Sequence, residues 1–250
     1  MSHPRPLLAL TAAAVVTVVA LGTAGLTTGS AAAPPAVSLG AAAPADRLPT
    51  ADQLKAALLS TAELGPNFTE VPVGQSSAST GGGASPVAGC DALRSLLNGT
   101  EAGPSPQLPH QEVEFDGPDG NPMVTESLTA EDAAQLTSDF TVVTDAFTDC
   151  HSLTFNDGTD ASVTFTVTPV TLGDRQGAPA VRLDGTLAGV PLNGYIAVER
   201  FGTVALSYGF FQRDDASSQL ASLYYRAAVA KAERTLGSPA GTATAPPASV

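Results

Sequence analysis

Ala133, Leu136, Phe140, Val143, Phe147 and Cys150 recur at intervals of three or four, and directly after them Leu153, Phe155, Val163, Phe165 and Val167 alternate with polar residues, mostly threonine. A period near 3.6 buries one stripe of a helix, and a period of two buries one face of a strand. The chain therefore changes from helix to sheet within a few residues of Cys150. A chain carrying both periods must lay helix on sheet, which excludes all-helical bundles and all-β sandwiches. The stripe predicts a helix from about Glu131 to Asp149 that ends with Cys150 on its buried side.

The remaining segments fall into the same two classes. Gln111 to Phe115 and Met123 to Leu128 alternate around Asp116-Gly117-Pro118-Asp119-Gly120-Asn121-Pro122, a hairpin with a long loop. Asn156-Asp157-Gly158 turns a second hairpin between the Leu153 and Val163 segments. Three further strands fit Ala180 to Leu187, Tyr195 to Phe201 and Val204 to Gln212. Thr50 and Gln53 form a capping box that opens a first helix from Ala51 to Leu64, with Leu54, Leu58 and Leu59 on one face and Gly65-Pro66 as its stop. Asp91 to Leu97 is a short helix ended by Asn98-Gly99, and Asp214 caps a last helix through about Leu236, closed by Gly237, with Leu220, Leu223, Ala227 and Ala230 inward. The expected fold is α+β: an antiparallel sheet of about six or seven strands, packed on one face by two long helices and one or two shorter ones.

The N-terminus is an address. Arg5 precedes a run from Leu7 to Leu26 without an ionisable residue, and Ser30 to Ala33 supply a small-x-small cleavage pattern, so residues 1–32 are expected to be a secretory signal peptide cut after Ala32. The competing reading is an uncleaved anchor, since about 20 apolar residues span a bilayer. Residues 33–49 and 238–250 are Ala- and Pro-rich without a period, a disordered linker and tail around one domain at 50–237. Two more loops lie inside it, Gly74 to Pro86 and Thr100 to Pro109. The expected location is secreted or extracellular, with the cell surface as the alternative if the apolar run anchors.

With 24 acidic against 11 basic side chains, a formal charge of -13, the chain has no positive field for phosphate backbones or anionic headgroups, which excludes nucleic acid and peripheral membrane docking. In an exported chain the two cysteines, Cys90 and Cys150, are most simply a disulfide. Closing that loop contributes roughly 4 kcal/mol through the unfolded state. The alternative, Cys150 as nucleophile with His151 as base, fails on direction, because helix neighbours point about 100° apart.

No catalytic set emerges. His110 and His151 are too few for a His-based zinc site and are expected in solvated loops. Glu114, Asp116, Asp119 and Asn121 offer oxygens without the spacing of a calcium loop, so a plain turn accounts for them. Asp157, Asp160, Asp174 and Asp184 are expected in turns or loops, and the common hydrolase signatures are absent. A hydrolase using carboxylates alone needs only two acids, but a chain with no Trp and few other aromatics is poorly equipped to stack sugars. Tyr208, Phe210, Phe211, Tyr224 and Tyr225 either line a ligand cleft between the sheet and the closing helix or fill the core. No metal, cofactor or ligand-binding residue is assigned.

Five segments carry a resemblance: LKAALLSTAELGPNF from Leu54, GCDALRSLL from Gly89, FTDC ending at Cys150, TLGDR from Thr171 and IAVERFGTVALSYGF from Ile196. Together they resemble the actinobacterial sensor-domain proteins, which are similar to the extracellular domain of PknH-type receptor serine/threonine kinases. The resemblance spans about Leu48 to Leu236. It implies an extracytoplasmic α+β domain with a cleft for a small ligand, found on kinases and as free secreted proteins or lipoproteins. This chain has no kinase region and no lipid-bearing Cys, and it has one cysteine pair where the kinase sensor domains carry two. The resemblance implies no catalytic residue. The expected function is a secreted, non-enzymatic module binding a small, partly apolar ligand in a sheet/helix cleft, or alternatively one that binds an envelope protein through a flat face.

Overall fold

The computed structural model describes residues 48–72, 87–91, 108–156, 162–214 and 217–243. The expected signal peptide, nearly all of the linker, the Gly74 to Pro86 stretch, the short helix after Asp91, residues 100–107 of the second loop, the Asp157-Gly158 turn and the tail beyond 243 lie outside the described residues.

Thr50 and Gln53 exchange both capping-box hydrogen bonds and open helix α1, Ala51–Ala57. The helix does not continue to Leu64. Leu58 turns extended, and a second helix, α2 (Thr61–Leu64), starts on its own capping box between Ser60 and Glu63. The leucine stripe is continuous through the break. Ser60-x-x-Glu63 is a second start signal inside it, whose Glu63 carboxylate accepts from the Ser60 N–H at 2.9 Å and the Ser60 hydroxyl at 2.6 Å.

The strands are β1 (Thr69–Val71), β2 (Val87–Ala88), β3 (His110–Asp116), β4 (Met123–Ala130), β5 (Ser152–Asn156), β6 (Ser162–Pro169), β7 (Ala180–Leu187), β8 (Val190–Gly202), β9 (Val204–Arg213) and β10 (Thr242–Ala243). They form one sheet in the order β1-β3-β4-β9-β8-β7-β6-β5-β2, every neighbour antiparallel. β10 lies parallel to the end of β8, so the chain past Gly237 contributes to the sheet before any tail begins. Eight strands have three or more residues, against the six or seven expected, and the addition is the edge strand β1, too short to show alternation. β8 also starts five residues before Tyr195. Ala188 and Gly189, both at positive φ, make a two-residue turn that sets Leu187 opposite Val190 and extends the ladder.

Helix α3, Ala133–Asp149, follows the predicted stripe and is capped by Asp132, whose carboxylate accepts from the N–H groups of Ala134 and Gln135. Helix α4, Ser218–Leu236, is capped by Ser217 rather than by Asp214, which sits at φ 63 in the preceding turn, and Gly237 at φ 69 closes it. Its buried stripe is Ala221, Tyr224, Tyr225, Ala228, Val229 and Ala232. The expected inner residues Leu220 and Leu223 are 37% and 50% exposed. The helix is turned by about one residue because alanines allow close approach to the sheet and tyrosine rings reach further into it than leucine does.

Cross-strand register sorts the faces. Phe115, Val124, Phe210 and Tyr195 stand in one row and Val113, Glu126, Tyr208, Ala197 and Ala180 in the next. Their apolar members pack with Leu54 and Ala57 of α1, Leu64 of α2, and Tyr224, Tyr225 and Ala228 of α4 in one core. On the opposite face Leu153, Phe165, Val167, Leu183 and Val198 pack with Val143, Ala146 and Phe147 of α3 in another. Helices therefore cover both faces, not one, and α3 and α4 sit over different halves of the sheet. Cys150, the C-cap of α3, is disulfide-bonded to Cys90 just past β2, with Cα atoms 5.7 Å apart, so the bond ties α3 to the sheet edge on which it rests.

Candidate functional site

α1, α2 and α4 together cover the β3, β4, β9 and β8 half of their face, and among the described residues no helix continues over β6 and β5 on that face. Thr164, Thr166 and Thr168 point outward there from β6, all exposed, and the Thr154 and Thr164 hydroxyls of β5 and β6 lie 2.9 Å apart. Beside them Arg182 and Asp184 alternate on β7, opposite Tyr195 and Asn193 of β8 and opposite Thr168 and Thr166 of β6. Arg182 donates from Nε and Nη2 to Asp184 Oδ1 at 2.9 and 2.6 Å, and Asn193 Nδ2 donates to the same oxygen. Asp184 is thus a mid-strand residue, not the loop acid expected. Each charged side chain of the pair is about one third exposed (33% and 38%), and the pair carries no net charge.

The boundary between the covered and bare halves is built by the TLGDR turn. Gly173 takes φ 62 and lies so close beneath α4 that a Cβ would come within 2.7 Å of the Tyr225 ring. Its N–H donates to the Ser222 hydroxyl at 3.4 Å, and the next residue, Asp174, pairs with Arg226 at 3.0 Å. The turn is thereby fastened to the flank of α4. The result is a ledge: a wall of turn and helix, a buried Tyr195 where the covered half ends, then a floor of Arg182, Asp184, Asn193 and threonine hydroxyls. It offers neutral and charge-balanced hydrogen-bonding groups in both senses, suited to a polar group of a small molecule.

A second feature is a set of buried glutamates, of which sequence reasoning missed Glu126, Glu131 and Glu199. Glu199 is paired: Arg175 reaches its Oε2 at 2.8 Å, the Arg200 N–H its Oε1 at 3.1 Å, and the Tyr225 hydroxyl its Oε2 at 3.4 Å. Glu126 takes the Leu59 N–H, freed at the break between α1 and α2, on Oε2 at 2.6 Å, while its Oε1 is buried with no partner. Burial pushes its carboxyl up to about 8. Glu131, between β4 and α3, is fully buried with no hydrogen bond to either oxygen. Burial and then the neighbouring Asp139 push it up to about 8 as well. The signal for Glu126 and Glu199 was present: each occupies an inward position of an alternating strand, where a charge is out of place.

The other candidates stay apart. Among the described residues no three His, Cys, Asp or Glu side chains gather as metal ligands. His110 is on a strand rather than in a loop, its Nδ1 2.8 Å from the Thr129 hydroxyl and its Nε2 3.6 Å from Glu112. His151 is exposed just before β5. Glu114 and Asp116 lie on β3, Asp119 sits in the turn at φ 56, and Asn121 is occupied with the Arg213 N–H. Asp157 and Asp160 are outside the described residues. Tyr208, Phe210, Tyr224 and Tyr225 fill the α4 core, whereas Phe211 lies on the other face. Cys150 is bonded to Cys90 and so is no nucleophile.

No protein-family model matches the chain, and no curated protein matches it. In three dimensions it is similar to the crystal structure of the extracellular domain of PknH from Mycobacterium tuberculosis, with a TM-score of 0.54 and 13% sequence identity over 77% of this chain and 100% of that one. The two share a fold.

Proposed function

We propose that the protein is a secreted, non-enzymatic sensor-like module that holds a small, partly apolar ligand on the ledge where α4 leaves the sheet. The observation that carries this reading is the Arg182, Asp184 and Asn193 knot, three hydrogen-bonding side chains on a half-bare sheet face directly beside a helix-covered aromatic core. The polar floor would orient the ligand and the helix flank would shelter its apolar part. The shared fold with a receptor's extracellular domain supports the sensor-like character. Native mass spectrometry on the protein expressed with its N-terminal segment in an actinobacterial host tests it. The expected result is an added mass that denaturation removes and that Asp184→Ala abolishes. A bare polypeptide mass, unchanged in thermal stability by host extracts, overturns it. The denaturing mass also reports the cleavage site.

A second reading, docking of an envelope protein, is favoured by one feature. Leu220 and Leu223 form an exposed apolar pair on the outer side of α4. Loss of envelope pull-down in Leu223→Glu, with the native ligand mass unaffected, would favour it over the ledge.

A further inference from the structure

The junction between β4 and α3 holds more buried acid than its donors can satisfy. Glu131 is inaccessible and neither of its oxygens accepts a hydrogen bond; Asp139, two turns into α3, has Oδ2 buried and equally without a donor. Its other oxygen takes the Gln135 amide at 2.8 Å. The nearest cation does not fill the gap. Arg200 donates from Nη1 to the Thr137 hydroxyl at 2.9 Å, from Nη2 to the Ala133 carbonyl at 3.1 Å and from Nε to the Gly202 carbonyl at 3.2 Å. Every nitrogen of its guanidinium is committed to neutral oxygens.

Two adjacent carboxyls with three empty acceptor sites and no N–H to fill them are complementary only if one of the acids supplies the donor itself. We propose that Glu131 and Asp139 hold one proton between them, and that this shared proton is a latch fastening the first turns of α3 to the β8–β9 hairpin, opened when alkaline medium removes it.

The latch sits where β4 runs into α3, beside the β8–β9 hairpin turn. Glu131 is fixed from behind by its own N–H, which donates to the Thr203 carbonyl at the hairpin turn, and Arg200 of the same hairpin grips the first turn of α3. Asp132, the N-cap, is the nearest further acid, and Arg200 the facing cation. On the same end of β3 stand the titratable His110, held on Thr129 two residues before Glu131, and Glu112 beside it. Removing the proton leaves two facing anions, Glu131 buried and Asp139 half-buried, with the exposed Asp132 nearby. Moving Asp139, and with it the start of α3, away from the hairpin relieves them. Burial and the facing acid together hold the Glu131 proton up to about 8.

The full chain is titrated in D₂O from about pH 6 to about pH 10, a range that brackets the release. Two signals are followed: the carbonyl stretch of protonated carboxylic acid, and amide exchange of residues 133–139 relative to residues 221–229 of α4 in the same sample. The relative measure cancels the intrinsic pH dependence of exchange. The expected result is a protonated-acid band at neutral pH that weakens in Glu131→Gln, because Glu126 supplies the rest. As the band titrates, exchange at the start of α3 should rise about tenfold over α4. Glu131→Gln and Asp139→Asn each keep a donor at every pH and should hold that ratio flat. An identical band in wild type and Glu131→Gln, or a flat ratio in the wild type, overturns the proposal. If Glu131→Gln loses its cooperative melt, the wild-type titration and Asp139→Asn decide alone.

Discussion

Glu126 puts a carboxyl between Tyr208 and the α1–α2 break, where one backbone N–H reaches it and water does not. Its folded pKa of about 8 stands above the ordinary 4.5. The sign follows: the stabilisation is fully present below pH 4.5 and is lost as the pH rises through about 8, because the unfolded chain ionises first. The loss is at most about 5 kcal/mol. Glu126→Gln removes the titration and keeps the shape, so its melting temperature should fall less than the wild type's between mildly acidic and mildly alkaline buffer; parallel curves would mean that Glu126 is already ionised in the fold. Gly173 tests the ledge's wall. An alanine there must adopt φ 62 and meet the Tyr225 ring, so Gly173→Ala should cost more than about 1 kcal/mol in urea unfolding, whereas Gly177→Ala, at φ 100 with open space around it, pays only for the backbone. The role of Gly173 does not show in the TLGDR segment until the helix lies over it.

Between elements, the two long helices differ in how well their pattern announced them. α3 buries Leu136, Val143, Ala146 and Phe147, apolar residues, three of them bulky, whose spacing leaves one choice of face. α4 buries two tyrosines and four smaller residues while exposing Leu220 and Leu223, and hydropathy ranks these the wrong way round. Tyrosine can be buried deeply only where its hydroxyl has a partner, as that of Tyr225 has in Glu199, and a one-dimensional pattern carries no record of partners. Truncation separates the two faces: Tyr225→Ala should cost about 3 to 5 kcal/mol and Leu223→Ala less than about 1 kcal/mol in chemical denaturation. The Cys90–Cys150 bond joins α3 to the β2–β5 edge across a separation of 60 residues. Its reduction should lower stability by roughly 4 kcal/mol, and the unreduced protein should weigh two hydrogens less than the free thiols require.

For the molecule as a whole, two glutamates raised to about 8 make the fold an acid-tolerant one. The urea midpoint should be higher at mildly acidic pH than at mildly alkaline pH, and the difference should persist in high salt. Salt screens the mutual repulsion of a chain at -13 but not the ionisation of buried groups, so a difference abolished by salt would assign the effect to surface charge instead. The sequence by itself determined the class of the fold, the order of its hairpins and α3 and the cysteine pairing, because periodicity, turn residues and a count of two are properties of the chain alone. The tertiary structure decided which helix covers which half of which face, the one-residue rotation of α4, the union of Arg182, Asp184 and Asn193 and the meeting of Glu131 with Asp139. Each of these depends on cross-strand register and helix placement, contacts between residues whose proximity no local pattern encodes.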